Sequence, residues 1–116
     1  MIALYVSESY ALDYYAILLV KHSHRMKGVK ALIKLWQSSF ECQSWRVPLY
    51  EVEDSKEFKE LLKSNHQTWN LVAKASKDEC KASEVDAANQ RRYAAKKALQ
   101  EKFWPSQPLN EVKAER

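Results

Sequence analysis

The stretch "SEVDAANQRRYAAKKALQEKF", Ser83 to Phe103, decides how the rest of the chain is read. Ala, Lys, Gln, Glu and Leu dominate it, no Gly or Pro interrupts it, and these residues favour helix. Plotted at about 100° per residue, Val85, Leu99 and Phe103 share one face. Asn89, Arg92 and Lys96 point the same way. A helix that places an amide, a guanidinium and an ammonium on its contact face needs partners for them.

Two readings meet that need. In the first, the cations pair internally with Glu8 and Asp13, the carboxylates of an otherwise apolar N-terminal helix. Buried charges are normally paired, and removing one partner costs about 3–5 kcal/mol. In the second, Asn89, Arg92, Tyr93 and Lys96 form a site for an anionic, phosphate- or nucleotide-like ligand. Tyr15, with Tyr10 and Tyr14, would then supply ring faces for a base to stack on.

The chain has one glycine and three prolines in 116 residues. Hairpin turns need residues that accept positive φ, and few are present, so the expected fold is all-α. Four helices form a small antiparallel bundle in a single domain, 1–104, followed by a polar, flexible tail over 105–116. The first helix runs from about Ser7 to His22, with Leu4, Ala11, Tyr15, Leu18 and Leu19 on one stripe. Val6, Tyr10, Ile17 and Val20 form a second stripe opposite. Apolar nearly all round, it reads as the central helix or one shared with a second copy. Gly28 ends the break after it.

The second helix spans Val29 to Gln43, with Val29, Leu32, Ile33, Trp36 and Phe40 inward and Lys30 and Lys34 toward water. "SWRVPLYEVED" reads as an irregular apolar connection broken by Pro48. Asp54 with Glu57 forms a capping-box start for the third helix, which carries Phe58, Leu61, Leu62, Asn65, Trp69 and Val72 on one face and ends near Asp78. Ser83 with Asp86 caps the fourth, which ends at Trp104 before Pro105. Helices three and four form a hairpin unless no break exists near Cys80.

The net charge of +4 is unevenly spread. Lys21, Arg25, Lys27, Lys30 and Lys34 occupy a segment with no acid, whereas Glu51 to Glu60 holds five acids against two lysines. The basic segment, with Trp45 and Arg46, is a candidate contact for nucleic acid or a protein partner. The aromatic content and the all-round apolar first helix point to a homo-oligomer.

His22 and His24 are spaced for opposite sides of a helix, and no HExxH or CxxC pattern is present, so no metal is expected. One glycine excludes a Gly-rich phosphate loop, and no nucleophile has a base at a telling spacing. The expectation is a binding protein rather than an enzyme, without a cofactor. Two unpatterned cysteines, no leader-like N-terminus and no apolar run of membrane length read as cytoplasmic.

Overall fold

The computed structural model describes residues 6–43, 47–78 and 81–106. They form five helices and no strand: α1 (Glu8–Ser23), α2 (Val29–Gln43), α3 (Leu49–Asp54), α4 (Lys56–Ala75) and α5 (Ala82–Phe103). The fold is the expected all-α bundle. α4 and α5 pack most extensively on each other, and α1 lies against α2, α4 and α5. The all-round apolar pattern of α1 thus has a cause within one chain, since it buries Leu12, Tyr15, Ala16, Leu18 and Val20 among three neighbours.

Helices three and four of the sequence reading are separate. α4 ends at Ala75, Ser76–Asp78 form a turn, and Asp78 takes a left-handed φ of 57°. At the other break, the left-handed residue that follows α1 is Arg25 (φ 57°), and Gly28 (φ 80°) leads the chain into α2. Nothing lies within 4 Å of a Cβ built on Gly28, so its positive φ, rather than crowding, is what asks for glycine there.

Several local expectations are corrected. The connection after α2 contains a helix, α3, with Pro48 at its N-cap and Leu49 and Val52 buried. Proline stops an incoming helix but suits the start of a new one, where its missing N–H is not needed. Asp54 therefore closes α3, and the cap of α4 is Ser55, whose Oγ accepts from the Phe58 N–H at 3.1 Å. In α5 the N-cap position is Lys81, without a side-chain cap, and Ser83 lies inside the first turn. Leu32, expected inward on α2, is 45% exposed, and Val72 on α4 is 52% exposed.

The core joins Leu12, Tyr15 and Ala16 to Phe40, Val52, Phe58, Leu61 and Leu99. Through it runs an aromatic stack. Trp36 lies parallel to Tyr15 (centroids 4.2 Å apart, 7° between planes) and to Phe40 (5.0 Å, 12°), and Trp104 meets Phe40 edge-on. Polar tips of the stack are satisfied: Trp36 Nε1 donates to the Ala11 carbonyl at 3.1 Å. The Tyr15 hydroxyl donates to Glu53 Oε2 at 2.9 Å and accepts from Gln37 Nε2 at 3.0 Å. Burial pushes the Tyr15 phenol up to about 12; the Gln37 hydrogen bond opposes that rise and the Glu53 carboxylate adds to it.

Trp45, Arg46, Cys80 and tail residues 107–116 lie outside the described residues.

Candidate functional site

Two residues before Tyr15, on the other side of α1, Asp13 is buried (4% exposed). A carboxylate there needs donors, and two helices bring them. Arg92 of α5 grips it with two bonds, Nε to Oδ1 at 2.9 Å and Nη2 to Oδ2 at 2.6 Å. Asn65 of α4 donates from Nδ2 to Oδ1 at 2.9 Å and also to the Leu61 carbonyl at 3.0 Å. Lys96, one turn beyond Arg92 and itself buried, sets its ammonium 3.8 Å from Oδ2. The rings of Tyr10 and Tyr93 each lie with their centroids 5.9 Å from that ammonium. The forked guanidinium–carboxylate pair fixes the Arg92 plane, which a lysine could not do.

Glu8, the other carboxylate of α1, has a different partner. Gln100 Nε2 donates to its Oε1 at 2.9 Å, and Gln100 Oε1 accepts from the Ser9 backbone N–H at 3.0 Å. Gln100 thereby serves one of the N–H groups that open the helix, a task the Ser7 side chain does not perform.

Beside the Asp13 cluster lies a cleft of about 330 Å³. Ile17 and Val20 of α1 form one wall, and Thr68, Trp69, Val72 and Ala73 of α4, with Ser76 after it, form the other. Asn65 and Arg92 border it, and the Arg92 side chain is 25% exposed. The hydroxyls of Thr68 and Ser76 donate to carbonyls of their own turns, those of Ser64 and Ala73, so the walls present little polarity. The His24 ring stacks on Trp69 at 4.8 Å, next to the wall that Trp69 supplies.

Of the residues singled out in the sequence, Arg92, Tyr93 and Lys96 come together. Asn89 is exposed, a turn before Arg92, and makes no contact with the cluster that the structure records. Tyr15 does not join them: its ring is 1% exposed, held in the Trp36 stack on the opposite side of α1. Arg25, Lys27, Lys30 and Lys34 are exposed and Lys21 is half-buried. Among the described residues none of these five is in an ion pair. Asn65 belongs to the apolar stripe of α4 by spacing alone, and its role in the cluster does not follow from that spacing. That amide, among Leu61, Leu62 and Trp69, was the available signal for the cluster. Gln100 and the cleft itself had no such signal.

Among the described residues no group of three His, Cys, Asp or Glu side chains could hold a metal ion, and no helix is long and apolar enough to cross a membrane. Comparison with protein-family models, with curated proteins and with solved structures finds no match for the chain.

Proposed function

We propose that this is a small non-enzymatic binding protein whose ligand is an amphiphilic acid. Its apolar body would lie in the α1/α4 cleft with its anionic group at Arg92. The observation that carries the reading is the conjunction of the two features. An apolar cleft at the lower end of small-molecule pocket sizes, about 300–1,000 Å³, is bordered by a guanidinium already fixed in its plane by Asp13. Pre-positioning of that kind lowers the ordering cost of binding. Compared with the ligand expected from the sequence, the anion remains and the apolar part grows. Lys96 is buried against Asp13, and Tyr15 is committed to the aromatic stack, so neither is offered to a ligand as the sequence suggests, whereas the cleft beside Arg92 is lined mainly by apolar side chains. Asp13 is engaged by Arg92, Asn65 and Lys96, which favours a binding role over acid–base work.

The test uses octanoate and octanol as probes, with amide and indole NMR shifts as the readout. Octanoate is expected to shift the Trp69 indole signal and leave that of Trp36 in place. Ala73→Phe, a change at an exposed position on the cleft wall, should fill the space and abolish the response. Octanol should bind more weakly than octanoate, because it lacks the charge for Arg92. If millimolar octanoate leaves Trp69 unmoved, or if Ala73→Phe binds as well as the native chain, the reading falls.

A further inference from the structure

α2 lies at the edge of the bundle, packed on α1 and α3, and leaves its outward side uncovered in the single chain. On that side Leu35 is 67% exposed and Leu32 is 45% exposed. Leu35 belongs to an exposed row of four: Ala31, Leu35, Ser38 and Cys42 are spaced four, three and four residues apart. That spacing is the seam of a two-helix coil, where successive residues of one helix enter gaps between residues of the other. Lys34 and Glu41, seven residues apart and both exposed, run along one flank of this row. Neither is in an ion pair within the chain among the described residues.

We infer that the occupant of this face is a second copy of the chain, with the two α2 helices antiparallel about a two-fold axis near Leu35 to Ser38. The argument is charge complementarity. α2 is basic where it begins, at Lys30 and Lys34 with Lys27 just before it, and acidic where it ends, at Glu41, with exposed Glu51 following in α3. Antiparallel pairing sets the basic end of each copy against the acidic end of the other, whereas parallel pairing would oppose like charges. Two-fold symmetry between antiparallel helices brings equivalent flanks together, so Lys34 meets Glu41 of the second copy, twice per dimer. The same register layers Leu35 against Ser38 and Ala31 against Cys42, a large residue facing a small one at the centre. A helix of 15 residues is about 22 Å long, so the contact is small and the dimer dissociates on dilution.

Sedimentation over about a hundredfold range of concentration should give a monomer–dimer equilibrium. Leu35→Glu should abolish it while leaving the helical signal of the monomer unchanged, since residue 35 is exposed. Lys34→Glu and Glu41→Lys should each weaken the dimer about three- to tenfold, and the double exchange should restore it. In a Cys80→Ser background, Ala31→Cys should cross-link to Cys42 of the other copy on mild oxidation. Within one copy these positions are about 16 Å apart along the helix, too far for a disulfide. A native chain that stays monomeric overturns the proposal; if its α2 signals then shift with phosphatidylglycerol vesicles or a glutamate-rich helical peptide, the face serves a foreign anionic partner. A dimer that survives Leu35→Glu, a double exchange that fails to restore affinity, or a Cys42–Cys42 cross-link in the native chain also overturns it.

Discussion

Asp13 and Tyr15 stand two residues apart on α1, and the two sides they face handle buried polarity in different ways. On the Tyr15 side the polar atom is neutral and sits at the tip of a ring, where Glu53 and Gln37 reach it while the ring stays in the stack. On the Asp13 side a full charge is taken from water and needs a guanidinium, an amide and an ammonium drawn from two other helices. The first arrangement adds hydrogen bonds to packing that is already favourable. The second is more than folding requires, because hydrophobic residues of similar volume often replace a buried ionic cluster without loss. Retaining charge beside a cleft is what a binding role would ask for.

The largest effect that tests this contrast is Asp13→Ala. Arg92 and Lys96 would keep their places without their shared anion, and breaking a buried pair in this way costs about 3–5 kcal/mol. Denaturant unfolding should show that loss as a fall in midpoint. A sharper version replaces the cluster as a whole, Asp13→Leu with Arg92→Met and Lys96→Met, and should recover most of the stability while losing octanoate binding. If Asp13→Ala costs no more than removal of the Tyr15 hydroxyl, the two sides are not different in kind.

Tyr15→Phe comes next, at about 1–2 kcal/mol, since two hydrogen bonds go and the ring stack stays. Its pH dependence is the more specific mark. The phenol ionises near 10.0 when unfolded and near 12 when folded. Between those values the unfolded chain has released the proton that the folded chain keeps, so stability falls as pH rises. Below pH 10 this contribution is present in full. Tyr15→Phe should therefore flatten the alkaline decline in midpoint between pH 10 and 12, and an unchanged slope would assign that decline to other groups.

How far the sequence reached follows the same division. One glycine and long helix-forming runs were enough for the all-α fold and the hairpin, because those signals are local and repeat over many residues. The pairing of Arg92 and Lys96 with a carboxylate of α1 was legible too, since a cation on a contact face must be answered. Which carboxylate answered was not, because that depends on how α4 and α5 pack on α1: Asp13 faces both helices, whereas Glu8 meets Gln100 of α5. Tyr15 stands two residues from Asp13 and so on the opposite side of α1, a signal that the apolar residues on both sides of the helix obscure. The cleft escaped altogether. It exists because Trp69 and Val72 continue the apolar stripe of α4 to where Ile17, Val20 and Arg92 border a gap rather than fill it, and a stripe looks the same whether or not its far end is covered.

The smallest effect tests where a helix begins. In "EDSKEF" the capping-box spacing points to Asp54, with Glu57 three residues on, rather than to its neighbour Ser55, which has Phe58 at that distance. The structure chooses Ser55 because α3 carries Asp54 in its last turn, leaving the next residue to take the extended conformation (φ −71°, ψ 149°) that a cap requires. Ser55→Ala should then cost about 1 kcal/mol, the ordinary worth of an N-cap side chain. Ser83→Ala should lie within about 0.5 kcal/mol of the native chain, or raise stability slightly, since Ser83 already sits inside α5 and alanine is the better helix former. Measured side by side by thermal unfolding, the two serines separate a cap from a residue that merely resembles one. Equal losses at both would mean that α5 begins two residues later than Ala82, with Ser83 as its true cap.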